Sequence, residues 1–282
     1  MSRLIGLGLR TGIRTTDFPR REDPEAESAP SAVTLDLDAL APDGAVAAAS
    51  ACPTEALAVE GDTTRGTLRV DLGQCVMCGR CVRAAPGAFV PRSDPRVAVR
   101  TRRRLTASVS WTGGRIRAPE GGSRTPAAAM ELDLGSARVF RRSLHIRHVD
   151  AGSSNATESE LQLLSSPQYD LQRLGLFFTP TPRHADVLLV TGVVTRQMET
   201  ALLETYEAMA APKLVVAAGV CAIGGGLFAD SPMARGPLDH LLPVDVYIPG
   251  SPPSPAALLH GLLLAAGKEE EHLNVLAGRD EA

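Results

Sequence analysis

Three cysteines within seven residues constrain this chain more than any other feature of its sequence. Cys75, Cys78 and Cys81 stand in the segment CVMCGRC, Cys52 precedes them in ACPTEAL, and Cys221 is the fifth cysteine of the chain. An odd number of cysteines, three of them closely spaced, favours a metal site in a reducing compartment over a disulfide framework. The four cysteines nearest the N-terminus are therefore candidate metal ligands.

The spacing of these four cysteines is that of the bacterial ferredoxin run. In that run C-x2-C-x2-C supplies three thiolates, and a distant Cys followed by Pro supplies the fourth to the same cubane. Here Cys75, Cys78 and Cys81 form the first part, and Cys52-Pro53 is the distant partner. We therefore predict one [4Fe-4S] cluster bound by Cys52, Cys75, Cys78 and Cys81.

The segment between Cys52 and Cys75 predicts two short strands joined by a turn at Gly61-Asp62, as a small α+β ferredoxin-like fold requires. A structural zinc site built from the same four thiolates is the alternative, because zinc also accepts an all-cysteine shell. The Cys-Pro dipeptide and the two-strand spacer favour the cluster.

The second cluster of a two-cluster ferredoxin is predicted to be absent. At the standard spacing its three leading ligands would stand at Pro42, Ala45 and Ala48, and its fourth, before Pro86, at Ala85. None of these side chains offers an atom that binds a metal. A single cluster is the consequence.

The second half of the chain carries short apolar runs that alternate with segments of helical character. RHADVLLVTG, APKLVVAAG and PVDVYIPG each contain a β-branched run that ends in Gly, and TRQMETALLETYEAMA separates the first two. Continuous apolar strands that alternate with helices predict a parallel α/β sheet with both faces covered.

Shifts in composition divide the chain into five predicted parts. They are an N-terminal arm (1–39), a ferredoxin-like domain (40–97), a basic linker rich in Gly and Pro (98–138), an α/β domain (139–268) and a C-terminal tail (269–282).

Charge and hydropathy exclude several classes of protein. A formal net charge of −3 argues against a chain that coats nucleic acid. The longest uncharged apolar run, 214–229, has 16 residues and four glycines, whereas a membrane-spanning helix needs about 20 apolar residues. Residues 1–13 are typical of an amphipathic helix against a membrane subunit or of a disordered terminus, without an export signal. No transmembrane span is therefore expected, and a cytoplasmic location is the default.

Residues 139–268 resemble the small subunit of group 4 membrane-bound [NiFe]-hydrogenases and formate hydrogenlyase, and the homologous cluster-bearing subunit of respiratory complex I, the NADH-quinone oxidoreductase 20 kDa subunit family. The resemblance rests on DAGSSNATE, PRHADVLLVTG, AGVCA and VDVYIPG-x-PP. It implies a flavodoxin-like parallel-sheet α/β domain, here preceded by the small α+β ferredoxin-like domain. The ferredoxin-like block and the TGIRTTDFP arm also look like the longer hydrogenase version.

The resemblance implies a second, degenerate cluster site. The four cysteines that hold the family's proximal [4Fe-4S] cluster match Ser154, Thr157, Cys221 and Ser251. Neutral hydroxyl groups bind iron poorly, and one thiolate does not hold a cubane, so we expect this site to be empty. The alternative is a cluster with serine ligands, or a different metal.

Other residues near these motifs have simpler interpretations. Cys221 is typical of a buried inert thiol. His145 and His148 are interpreted as packing or interface residues rather than metal ligands. Glu158 matches a family glutamate close to the redox centre, and a proton-transfer role is expected only if that centre is present.

Two functions follow from the resemblance. The chain is expected to be the iron-sulfur subunit of a hydrogenase-related or complex I-like membrane-bound oxidoreductase complex, whether it transfers electrons or is non-catalytic. The alternative is a non-redox structural subunit that docks a large subunit onto the membrane arm of an ion-translocating complex. In either case the implied partners are that large subunit and a membrane-embedded subunit, at the cytoplasmic face of the cell membrane.

Overall fold

The computed structural model describes residues 2–12, 15–21, 31–117 and 143–277. In the first half the helices and strands are α1 (Ser2–Thr11), β1 (Ala32–Asp36), α2 (Pro42–Ser50), β2 (Leu57–Gly61), β3 (Arg65–Asp71), α3 (Arg80–Ala84), β4 (Phe89–Arg92), β5 (Thr106–Thr112) and β6 (Arg115–Arg117). In the second half they are β7 (Leu144–Asp150), α4 (Ala156–Leu163), β8 (Leu176–Phe178), β9 (Val187–Thr191), α5 (Arg196–Ala208), β10 (Leu214–Ala218), α6 (Val220–Gly224), β11 (Val246–Ile248), α7 (Pro255–Ala265) and β12 (Leu276–Ala277).

The second half forms a five-stranded parallel sheet, as the apolar runs predict. Its strand order is β11-β10-β9-β7-β8, and every pairing in it is parallel. Counted from β7, this is the flavodoxin-like order 2-1-3-4-5. The predicted α/β, flavodoxin-like fold class is confirmed.

The burial of the two central strands, β9 and β10, explains their apolar sequences. All five residues of β9 and all five of β10 are buried, which is why both read as continuous β-branched and aliphatic runs. Helix α7 packs against this layer, and each of its residues from Ala256 to Ala265 is buried. These buried strands fix the carboxyl edge of the sheet, where α/β folds place their ligands.

The first half contains two smaller antiparallel arrangements. Strands β2, β3, β5 and β6 form a meander, and β1 pairs with β4. The β2–β3 hairpin lies where the spacer between Cys52 and Cys75 predicts it, with Gly61 opposite Gly66.

Four strands lie outside the two predicted domains. Strand β1 lies inside the range predicted as the arm, β5 and β6 lie inside the predicted linker, and β12, in the predicted tail, pairs parallel with β1. These segments form strands because they pair with other strands. Since a partner strand can be distant in sequence, the composition of the segment itself does not predict the pairing. The rest of the predicted linker, 118–138, lies outside the described residues.

The two halves are joined by backbone and side-chain bonds. Val99 and Tyr247 exchange backbone hydrogen bonds of 3.0 and 2.8 Å, and the Glu271 carboxylate accepts from Arg100 N at 2.7 Å and from Arg104 Nε at 3.0 Å. These contacts join the segment between β4 and β5 to strand β11 and to the segment after α7.

Within the described ranges, every helix is too short or too polar to cross a bilayer.

His260 on α7 makes stability depend on pH. Its ring is fully buried; Nδ1 accepts from Ala98 N at 3.4 Å, so Nε2 donates to the Glu270 carbonyl at 3.0 Å. Burial lowers its pKa to about 4, against about 6.5 in the unfolded chain. Between these values the unfolded state binds more protons, so stability is lost as pH falls.

We therefore expect that protonation of His260 in the unfolded chain lowers the free energy of unfolding by about 2 kcal/mol when the pH falls from 7 to 5. Urea unfolding at both pH values measures it. His260→Gln should reduce the pH-dependent difference by that amount, whereas the exposed His240 offers a matched control, His240→Gln, that leaves it unchanged. An equal pH dependence in His260→Gln and the wild type would contradict this assignment.

Candidate metal centre

The four cysteines predicted from the ferredoxin spacing line one cavity. Cys52 follows α2, while Cys75, Cys78 and Cys81 lie between β3 and the first turn of α3. All four border one cavity, whose walls are mainly apolar side chains. All four thiols are free of disulfides, and Cys78 is exposed. The structure thus brings together every predicted ligand of the first site.

A buried ion pair holds the loop that carries Cys75. The Asp71 carboxylate, 4% exposed, accepts two bonds of 2.7 Å from the Arg102 guanidinium and one of 2.9 Å from Gly73 N. A Cβ at Gly73 would stand 2.6 Å from Arg102 Cζ, so a larger residue there would displace the guanidinium from Asp71. Sequence reasoning missed this support, because the charges are far apart in sequence.

The four cysteine sulfur atoms do not form a compact group. No three of the four cysteine Sγ atoms all lie within 4.8 Å of one another. Four thiolates around one zinc ion, each about 2.3 Å from the metal, stand only about 3.8 Å apart in a tetrahedron. The sulfur atoms as they stand are therefore farther apart than the four ligands of one tetrahedral ion.

Burial disfavours the ionised form of two thiols in the cavity. Burial raises the pKa of the Cys75 thiol to about 11, although a hydrogen bond with the backbone of Met77 lowers it. The neighbouring thiols of Cys81, Cys52 and Cys78 raise this pKa further. Burial also raises the pKa of Cys81. Bringing four thiolates together therefore requires positively charged metal at their centre.

The positions of the missing second ferredoxin cluster are filled by packed side chains. Ala45 and Ala48 on α2 are fully buried, and Ala85 after α3 is 7% exposed. A Cβ at Gly44 would meet the Ala85 methyl group at 3.2 Å. Small side chains at these positions let α2 and α3 approach closely. Apolar contacts between the two helices occupy the positions where the ligands of a second cluster would stand.

The positions of the degenerate site lie at the carboxyl edge of the parallel sheet. Ser154 follows β7, Thr157 is in α4, Cys221 is in α6 after β10, and Ser251 follows β11. Ser154 and Ser251 are exposed, whereas Thr157 and Cys221 are partly buried.

Two loops bring three of these positions together. Gly219 N donates to the Ile248 carbonyl at 2.8 Å, and Val220 N to the Gly250 carbonyl at 2.9 Å. These bonds hold the start of α6 against the loop of Ser251. Thr157 Oγ1 lies 3.2 Å from where a Cβ of Gly219 would stand. The donor set at this edge is three hydroxyl groups and one thiol, which suits an iron-sulfur cluster poorly.

Glu158, next to Thr157, belongs to a hydrogen-bonded chain that the sequence did not reveal. Thr191 Oγ1 donates to Glu158 Oε1 and accepts from His148 Nε2 at 2.8 Å. Burial lowers the pKa of His148, and the Glu158 charge opposes this. Burial and the Glu158 charge also raise the pKa of the Cys221 thiol. His148 thus serves in a buried polar network, while His145 bonds to Asp186 and stacks on Phe177.

The two candidate sites are neighbours. A Cβ at Gly224, three residues after Cys221 in α6, would stand 2.8 Å from the Gly73 carbonyl oxygen and 3.0 Å from Gln74 Cγ. Gln74 immediately precedes Cys75. Helix α6 therefore packs directly on the loop that carries the first ferredoxin cysteine.

A third group of ligand-type side chains lies at the C-terminal end of α7. Ligand atoms of His260, Glu269 and His272 are all within 4.8 Å of one another. Both ring nitrogens of His260 are already hydrogen-bonded, so its lone pair is engaged. This group is a packed histidine with polar neighbours rather than a prepared metal site.

Comparison with known proteins decides the family of the α/β domain. Residues 155–265 match the profile described as NADH ubiquinone oxidoreductase, 20 Kd subunit. Over 131 residues the chain is 46% identical to "Probable membrane-bound hydrogenase subunit mbhJ" of Pyrococcus furiosus, covering 46% of this chain and 78% of that protein. This chain belongs to the 20 kDa subunit family.

Other members of the 20 kDa subunit family share the same region. "Formate hydrogenlyase subunit 7" of Escherichia coli is 42% identical, over 52% of this chain and 57% of its own length. An NADH-quinone oxidoreductase subunit of Carboxydothermus hydrogenoformans is 49% identical, over 37% of this chain and 63% of its own. The predicted resemblance is confirmed.

Among solved structures, one similar chain belongs to the membrane-bound sulfane sulfur reductase, an archaeal respiratory membrane complex. It is 36% identical, with a TM-score of 0.42, over 46% of this chain and 72% of that chain.

Proposed function

We propose that the chain is the iron-sulfur subunit of a hydrogenase-related, complex I-like membrane-bound oxidoreductase complex. It carries one [4Fe-4S] cluster on Cys52, Cys75, Cys78 and Cys81, and its proximal site, at the positions of Ser154, Thr157, Cys221 and Ser251, has lost its ligands. The observation that carries the proposal is the convergence on one cavity of four cysteines at ferredoxin spacing.

The protein's own residues prepare this site in two ways. Apolar side chains such as Leu35, Leu57 and Phe89 form its inner wall and keep water from that side. The Asp71–Arg102 pair fixes the Cys75 loop. When bound, the cluster supplies one-electron redox chemistry, with a potential that depends on burial and on hydrogen bonds to its sulfurs.

The relatives support the setting of the proposal. Their names place them in a membrane-bound hydrogenase, formate hydrogenlyase and NADH-quinone oxidoreductase. We infer that the partners of this chain are a hydrogenase-like large subunit and a membrane-embedded subunit, at the cytoplasmic face of the membrane. The inferred domains are the ferredoxin-like block and the α/β domain, with the arm, linker and tail as connecting segments.

The second candidate function is a non-redox structural subunit that docks the large subunit onto the membrane arm. It is favoured by the replacement of three of the four family ligand positions by hydroxyl side chains. Loss of those thiolates removes the family's redox group at that edge of the sheet.

Metal analysis of the full chain, purified without oxygen, separates the two functions. We expect about four irons and four acid-labile sulfides per chain, with a single EPR signal after dithionite reduction. Fewer than about one iron per chain in folded protein would refute the redox proposal and favour the structural function. One zinc in place of iron would identify the alternative site.

A further inference from the structure

Helix α1 stands apart from the rest of the molecule. Its large apolar side chains at Ile5, Leu7 and Leu9 are 64%, 58% and 82% exposed. An isolated helix of fewer than about 12 residues is marginal in water, because its nucleation costs more than its few hydrogen bonds return. A ten-residue helix without packing partners in the described chain therefore needs an outside surface to stabilise it.

The sequence of α1 indicates the charge of that surface. Ile5 and Leu9 are four residues apart, about one turn, so they share one side of the helix. Arg10 follows Ile5 by five residues and so lies about 140° away from it around the helix, towards the opposite side. The first 16 residues of the chain contain no Asp or Glu. An apolar side with an arginine towards the opposite side, in a segment without acidic residues, complements a surface that is both apolar and anionic.

The arm that follows α1 fixes its position on the protein. Thr16 N donates to the Gln168 carbonyl at 2.7 Å, and Thr15 Oγ1 to the Pro167 carbonyl at 3.1 Å. Phe18 is 3% exposed and belongs to the core. The helix is thus tethered close to the α/β domain, with its apolar side chains in solvent.

We propose that α1 binds directly to an anionic lipid membrane. It lies in the plane of the interface, with Ile5 and Leu9 among the acyl chains and Arg10 at the headgroups. This contact adds a lipid anchor to the subunit contacts of the proposed function, on which its biological setting rests.

Sedimentation with lipid vesicles tests the proposal on the full chain. We expect binding to phosphatidylcholine vesicles that contain about one third phosphatidylglycerol, and weak binding to phosphatidylcholine alone. Leu9→Glu should weaken binding about tenfold or more, and Arg10→Gln about fivefold. Leu227→Glu is the matched control, because Leu227 is 67% exposed elsewhere on the surface and its substitution should leave binding unchanged.

Three results would overturn the lipid contact. They are the absence of binding to the anionic vesicles, equal binding by Leu9→Glu and the wild type, and an equal loss in Leu227→Glu. A protein partner would then be the occupant of α1. Iron is measured in the same samples, so vesicle binding without iron refutes only the redox function, and iron without vesicle binding refutes only the lipid contact.

Discussion

Replacing Ser154, Thr157 and Ser251 together by cysteine is expected to raise the iron content of the chain from about four to about eight atoms. The three positions and the native Cys221 stand at the carboxyl ends of β7, β10 and β11 or in the elements that follow. The loops of Cys221 and Ser251 are held together by backbone bonds that do not involve the substituted side chains. Thiolates are the soft anionic donors that the present hydroxyl groups are not.

Iron and sulfide analysis after anaerobic reconstitution measures the gain, and EPR should show two interacting signals because α6 packs on the Cys75 loop. The matched control is the same triple variant combined with Cys221→Ala, which removes one of the four thiolates and should return the iron content to about four. A folded triple variant that still binds about four irons would show that this edge of the sheet no longer forms a cluster site.

Cys78→Ala is expected to remove nearly all iron and the EPR signal of the reduced chain. Cys78 is the exposed member of the four cysteines, so its replacement leaves no cavity in the core and tests ligation more cleanly than replacement of Cys75. Three remaining thiolates hold a cubane weakly and leave one iron open to solvent and oxidation. The content should fall from about four irons to below about one.

Cys221→Ala is the control for this experiment. Its thiol lies at the degenerate edge of the sheet, outside the ferredoxin cavity, and we expect about four irons per chain to remain. Loss of iron in both variants, with native circular dichroism, would mean that Cys221 takes part in the cluster and would contradict the separation of the two sites.

The local hydrophobic pattern predicted the parallel sheet, and the cysteine spacing predicted a metal site whose four ligands lie close together. The C-x2-C-x2-C run and Cys52-Pro53 named four residues that the folded chain places around one cavity. The apolar runs at β9 and β10 predicted buried parallel strands, because a strand covered on both faces has no polar positions. Both signals are local, so a single sequence contains them.

Contacts between distant segments were not predictable in the same way. β12 pairs with β1 across almost the whole chain, and Asp71 meets Arg102 beneath the Cys75 loop. The Glu158–Thr191–His148 chain joins three different elements. Such pairs have no fixed spacing, and each residue alone is typical of a solvated surface.

The sequence by itself determined the donor chemistry of this protein: four thiols at ferredoxin spacing, and hydroxyl groups at Ser154, Thr157 and Ser251. Only the tertiary structure decided how far apart the sulfur atoms stand and that α6 rests on the Cys75 loop. The reason is physical. The type of donor is a property of each side chain, whereas the distance between donors depends on how the strands and helices that carry them pack together.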